Sequence, residues 1–386
     1  KPLGDLDFWV SSRRIVNTIT EWPFFTLKLG DLHPHAVAMP LFLTFVGVAG
    51  NLRARAAGRR YVDRDLNRRW TPENIARIVN AGAEEATEDR ETLELLEVLV
   101  PLLRGARRPV VFIDLHSTSG PAKPFSCMAD VLRNRQIALA LPIPVVLGLE
   151  EVIDGSMLGY LCDLGHIGVA VEGGQHDDPQ TVECHESALL LMLVAAGALA
   201  EADVPDLRGH YARLAARAAG LPAVCEIRHR HVVRPKDEPF VMEPGFENFQ
   251  TLRKGQVVAR DSHGPVVAHD GGLMMLPRYQ GLGDDGYFVA APVSRAALTV
   301  SAALRTMRLD RLVPLLPGVS RHPERTDHFI ADPQVARIAV TQVFHLFGYR
   351  HVRAHGDQLV FSRRSPAREP DGGLPPELRP LAGRGG

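Results

Sequence analysis

The stretch "PVVFIDLHSTSG", residues 109–120, decides the fold class. It is apolar and β-branched up to Ile113, then turns polar and ends on Gly120. A strand buried on both faces has this pattern, its C-terminal end opening into a loop where functional groups collect. Asp114 and His116 stand two positions apart, so on a strand they share a face and Asp114 can orient the His116 imidazole. The design recurs in "FLTFVGVAG" (42–50), "IPVVLGLEE" (143–151) and "IGVAVEGGQHDD" (167–178). Helical stretches separate these runs. Residues 71–106 open with Thr71 as a cap and Pro72 in the first turn, with apolar residues at helical spacing behind them. Residues 181–205 and 207–220 supply further helices. Strands alternating with helices from about residue 20 to 225 predict an α/β layer fold.

The composition changes near residue 225. Residues 226–300 carry short alternating runs between closely spaced turn signals, which predicts a compact β-rich module. In the region 301–365, a helical run "DPQVARIAVTQVFHLFGY" precedes "RHVRAHGDQLVFSRR", whose Gly-Asp centre predicts a hairpin. The tail 366–386 is rich in Pro and Gly and is expected to be disordered. Residues 1–225 then form the main domain, of which 1–45 lack the expected alternation.

Lys+Arg 44 against Asp+Glu 45 leaves the 386-residue chain a formal charge of -1. With no global basic field, neither nucleic acid nor an anionic membrane is an expected partner, and anion recognition has to be local. Cys127, Cys162, Cys184 and Cys225 are widely spaced with no C-x-x-C pair, so reduced structural thiols are expected. No basic-then-apolar leader is seen, and the longest apolar run, "MPLFLTFVGVAG", falls short of the ~18 residues that span a bilayer. A cytoplasmic protein is expected, with homo-oligomerisation left open.

Local anion recognition is available in "RRYVDRDLNRRW", residues 59–70. Tyr61, Val62 and Leu66 interrupt its charges without a helical stripe, which argues against a plain solvated helix face. Arg60, Asn67 and Arg68 can instead converge on a planar anion, because a guanidinium fork grips a carboxylate through two parallel bonds. Glu172 emerges from a buried run into Gly173 and Gly174. A carboxylate so placed suits acid/base work, and glycine lets a substrate approach the backbone; a strand-end salt bridge is the plainer alternative.

In order along the chain, "AGNLRARAAGRRYVDRDLNRRW", "FIDLHSTSG" and "VAVEGGQHDD" resemble the succinylglutamate desuccinylase/aspartoacylase family. "EPGFENFQTLRKGQVVA", "MMLPRYQGLGDDGYF" and "FHLFGYR" continue the likeness, which runs over about residues 46–365. The resemblance implies a zinc carboxypeptidase-like three-layer sheet domain with a smaller C-terminal β-rich module. It also implies one zinc ion, with His116 as a ligand and Glu172 activating the attacking water. Asn67, Arg68 and Arg60 match contacts to a substrate carboxylate, while Asp63 and Asp65 hold the loop. The implied reaction is hydrolysis of an N-acyl amide in a small carboxylate-bearing molecule such as an N-acyl amino acid.

The chain departs from the family upstream. The family's first metal motif is H-G-N-E, and this chain offers "GDLHPHAVAMP", residues 30–40. His33 matches the histidine, and Ala36 stands where the glutamate belongs; His35 sits one position early. Ala36 motivates one alternative, a homologue that binds carboxylates without metal or catalysis; a second is a metallocarboxypeptidase, which shares fold and metal chemistry and which an open cleft would favour.

Overall fold

The computed structural model describes residues 45–81, 86–106, 108–234, 237–281, 283–323, 325, 328–332, 340–352, 359–364 and 373–383. The first elements are helices: α1 (Leu52–Ala56), a 3-10 turn (Leu66–Arg68), α2 (Pro72–Ala81) and α3 (Thr87–Leu103). An alternating region follows, with β1 (Val111–Thr118), β2 (Phe125–Cys127), α4 (Leu132–Ala138), β3 (Val145–Leu147), α5 (Leu149–Val152) and α6 (Met157–Asp163). It continues through β4 (Ile167–Gln175), α7 (Pro179–Ala195), α8 (Leu207–Arg217) and β5 (Val224–Val232). Thr71 acts as the expected cap, its Oγ1 accepting the Asn74 amide at 3.2 Å. The strands foreseen at 109–120, 143–151 and 167–178 are β1, β3 and β4. Residues 45–50 of the run foreseen as a further strand form none, and residues 42–44 lie outside the described residues.

Then come β6 (Val241–Met242), β7 (Thr251–Leu252), β8 (Val257–Asp261), β9 (Gly264–Val267), β10 (Gly272–Met275) and β11 (Asp285–Pro292). The last elements are α9 (Arg295–Thr306), β12 (Val319–Arg321), β13 (His328–Ala331), α10 (Val340–Leu346), β14 (Tyr349–Val352) and β15 (Leu359–Arg363). One eight-stranded sheet runs β1-β4-β2-β3-β5-β11-β10-β7. β1 and β4 are parallel neighbours, and β5 pairs with β3 on one side and antiparallel with β11 on the other. The change of composition near 225 therefore does not break the sheet. β11, β10 and β7 extend it, while β6, β8 and β9 form a smaller three-stranded sheet over Phe240, Met242, Phe246 and Val258.

Alternation along β1 sorts the main domain into layers. Leu115 joins Val169 and Val171 of β4 in a core with α4, α7 and α8 on one face of the sheet. Phe112 points the other way, into a core with Trp70, α2, α3 and α6. Helices thus cover both faces, as an α/β three-layer domain requires. Asp114 and His116 share the Phe112 side, so they emerge under α6 and the 59–70 loop.

A four-stranded sheet, β12-β13-β15-β14, closes the described chain around Phe329, Phe344, Tyr349 and Phe361. β14 and β15 form the expected antiparallel pair; their Gly-Asp turn lies outside the described residues. Asp130 fastens this sheet to the main domain by accepting from Arg135, Arg305 and Arg364 together. Burial alone would raise the Asp130 carboxyl, yet the three arginines hold it far below the usual carboxylate range.

Part of the tail expected to be disordered is ordered. Pro376–Gly383 is a 3-10 segment whose Leu378 and Leu381 are buried against α2 and α3. The Pro and Gly content hid two apolar anchors. Among the described residues, no helix is long and apolar enough to cross a membrane.

Candidate active site

The last residues of β1 and β4 meet in register, His116 opposite Glu172. Both line a cavity of about 180 Å³, together with Arg60, Asn67 and Arg68 from the 59–70 loop. The five residues singled out by sequence within the described chain therefore share one site. The remaining one, His33, lies outside the described residues, as do His35 and Ala36.

Asp114 accepts from His116 Nε2 at 2.7 Å, the orienting contact that their two-residue spacing predicts. On the opposite side of β1, His185 Nε2 donates to the His116 carbonyl at 2.7 Å. Burial pushes the His185 pKa down to about 4, so the ring is neutral and can donate from only one nitrogen. Ser117 Oγ lies 2.8 Å from His176 Nδ1, which brings His176 to the cavity wall as well. Cys127 also lines the cavity, and burial with Glu172, Asp114 and Glu150 around it pushes its thiol well up. At neutral pH it is a protonated wall group and no nucleophile.

Gly173 and Gly174 do not admit substrate, contrary to the expectation from sequence. A Cβ at Gly173 would stand 2.4 Å from His185 Nε2, and one at Gly174 2.6 Å from Thr181 Oγ1. The space above the two glycines belongs to α7, which needs their missing side chains to reach the end of β4.

The 59–70 loop is held on two sides. Glu88, fully buried at the start of α3, accepts the amides of Val62, Asp63 and Arg64 at 2.6, 3.0 and 3.1 Å. Asp63 Oδ2 in return accepts the Thr87 amide at 2.7 Å, capping α3. Asp65 accepts the Asn67 amide at 3.0 Å and takes both Nε and Nη2 of Arg60. Burial would raise its carboxyl, but Arg60 and Arg68 hold it below the usual range. Asp63 and Asp65 thus hold the loop, as foreseen.

On the other side, Asn67 Oδ1 accepts the Met157 amide at 2.9 Å and the Trp70 amide donates to the Gly155 carbonyl at 3.0 Å. Gly155 has φ +69, and a Cβ there would meet the Arg68 carbonyl oxygen at 2.6 Å. Only glycine allows the two segments to lie so close.

Sequence reasoning missed the residues that close the cavity from the β-rich side: Leu276, Pro277, Arg278, Gln280, Asp285 and Phe288. They lie in "MMLPRYQGLGDDGYF", which had signalled family likeness without roles. Among the described residues, no three His, Cys, Asp or Glu side chains come together in a way that could hold a metal ion. A catalytic zinc normally takes three protein ligands. His116 and Glu172 alone do not make that set, and Nε2 of His116 is bonded to Asp114.

A family model described as "Uncharacterized membrane protein (DUF2298)" matches residues 3–79. The match overlaps the 59–70 loop. "Probable aspartoacylase" of Parasynechococcus marenigrum (strain WH8102) is 37% identical over 129 residues, 32% of this chain and 40% of that protein. "Probable aspartoacylase" of Synechococcus sp. (strain CC9605) is 35% identical over 130 residues, 33% of this chain and 40% of that protein. The chain therefore matches about two fifths of the length of these curated relatives. A solved succinylglutamate desuccinylase/aspartoacylase from Rhodobacter sphaeroides is 17% identical, covering 64% of this chain and 74% of its own, with a TM-score of 0.44. The succinylglutamate desuccinylase from Vibrio cholerae is 16% identical, covering 64% and 70%, also with a TM-score of 0.44. Likenesses that loose do not by themselves decide the fold. Over the third of the chain that they cover, the curated relatives agree with the ordered motifs in a likeness to the succinylglutamate desuccinylase/aspartoacylase family.

Proposed function

We propose that this chain hydrolyses the N-acyl amide bond of small, carboxylate-bearing molecules such as N-acyl amino acids. One observation carries the reading: His116 and Glu172 stand side by side on adjacent strands, and Arg68 and Asn67 line the same cavity. A substrate carboxylate held by the Arg68 fork and the Asn67 amide sets its amide bond over the strand ends. Glu172 takes a proton from the attacking water and returns it to the departing amine, so the carboxylate is restored each cycle. Asp114 keeps the His116 ring oriented while this happens. The cavity walls from the β-rich side favour a small substrate over a polypeptide, which argues against the carboxypeptidase alternative.

One zinc ion is the cofactor that the family resemblance implies. The described residues do not fit it unaided, since a ligand set with His116 needs donors such as His33 from outside them. A second reading, a carboxylate-binding homologue without catalysis, is favoured by Ala36 at the position of the family's glutamate. Two measurements on the purified full chain separate the readings: zinc content by elemental analysis, and release of amine from a panel of N-acyl amino acids with and without added zinc. Amine release supports the hydrolase. Binding of the same compounds without release, in protein that holds no zinc after supplementation, supports the second reading and overturns the first.

A further inference from the structure

The arginine offered to substrate already has an internal partner. Arg68 Nη2 donates to Asp285 Oδ2 at 2.7 Å, and Arg230 Nε donates to Asp285 Oδ1 at 2.6 Å. One carboxylate thus bridges two guanidinium groups with both of its oxygens. Asp285 opens β11 and lines the cavity with Arg68, while Arg230 rises from the neighbouring β5 and is fixed a second time by the Val152 carbonyl. In the same wall Arg60 pairs with Asp65, which Arg68 also faces, and Arg278 pairs with Glu238.

We propose that Asp285 is the specificity-determining carboxylate of this clamp: together with Asp65 it leaves the three cations Arg60, Arg68 and Arg230 a single charge to spare, and so fits the cavity to a substrate end that presents one carboxylate rather than two. The inference rests on the carboxylate-binding reading above. An incoming carboxylate shares the Arg68 fork with Asp285 and is attracted by the remaining positive charge. A second carboxylate on the same substrate end meets Asp285 at short range in a half-buried wall, where like charges repel more strongly than in water. Asp285 also fixes the direction of the fork, which lowers the ordering cost of binding.

The test is calorimetric titration of the purified full chain with N-acetylalanine, which has one carboxylate, and N-acetylaspartate, which has two. Wild type is expected to bind N-acetylalanine more tightly. Asp285→Asn keeps the shape and removes the charge, and should shift the ratio of the two dissociation constants by at least about tenfold toward the dicarboxylate. Asp285→Glu keeps the charge and should retain the wild-type preference. Arg230→Gln removes one cation and should move the preference further toward N-acetylalanine, which decides the matter if Asp285→Asn does not fold. A tighter wild-type complex with N-acetylaspartate overturns the proposal, as does an unchanged ratio in Asp285→Asn or Arg230→Gln. If neither probe binds, both this proposal and the carboxylate-binding reading fall. The expected ratio shift without hydrolysis refutes only the hydrolase; hydrolysis with an unchanged ratio refutes only the role of Asp285.

Discussion

Glu88 offers the sharpest test of how the 59–70 loop is built. Its carboxylate is fully buried and accepts three consecutive backbone amides, from Val62, Asp63 and Arg64, at 2.6 to 3.1 Å. Hydrogen bonds to a charged group contribute about 1.5–3 kcal/mol each when nothing replaces them. Here water can replace part of the loss, because Val62, Asp63 and Arg64 are themselves exposed. Glu88→Ala should therefore cost about 2–4 kcal/mol, well below three full bonds. Glu88→Gln, which keeps one acceptor oxygen and turns an amide donor toward other donors, should cost an intermediate amount. Urea denaturation followed by far-UV circular dichroism measures both, with the midpoint falling and the slope unchanged. Because Asp63 returns a bond to the Thr87 amide, the double variant Asp63→Ala/Glu88→Ala should lose less than the sum of the single losses. A change below about 0.5 kcal/mol in Glu88→Ala, the range of an ordinary surface substitution, would refute the idea that this carboxylate holds the loop.

Other consequences are equally direct. Gly155→Ala places a Cβ against the Arg68 carbonyl at a left-handed backbone position, so it should destabilise by about 1–3 kcal/mol or more and weaken carboxylate binding with it; calorimetric titration and melting read the two losses. Arg68→Ala should weaken N-acyl amino acid binding by roughly tenfold to a hundredfold, and Arg68→Lys should recover only part, since an ammonium keeps the charge without the fork. Equal affinities in all three proteins would make the loop a solvated charge run. His166 is buried, its Nδ1 accepts the Val110 amide, and burial followed by Arg133 pushes its pKa down to about 4. Its folded pKa lies below the unfolded value of about 6.5, so its stabilising contribution is complete above that pH and is lost as pH falls toward 4. Stability curves from pH 8 to 4 should show this acid-side decline in wild type and a shallower one in His166→Gln.

The main-sheet strands were legible because β1, β3 and β4 are buried on both faces and their apolar runs end where the chain leaves the sheet. The pairing of Asp114 with His116 was legible too, since strand geometry alone puts positions two apart on one face. The glycines after Glu172 misled: a small residue beside a strand-end carboxylate reads as room for substrate, whereas here it is room for α7. Asp285 was invisible as a partner because 217 positions separate it from Arg68, and only the antiparallel pairing of β11 with β5 carries it to the cavity. Counting Pro and Gly in the tail missed Leu378 and Leu381, whose burial depends on a groove between α2 and α3 that no local pattern announces.

The central claim is that Glu172 does the proton work of a deacylase over the ends of β1 and β4. The most direct measurement compares amine release from N-acyl amino acids by wild type and Glu172→Gln, with substrate affinity measured in parallel. Loss of most turnover with affinity kept within a few-fold is the predicted result, because the amide preserves shape but cannot take the proton. Equal turnover in the two proteins would contradict it.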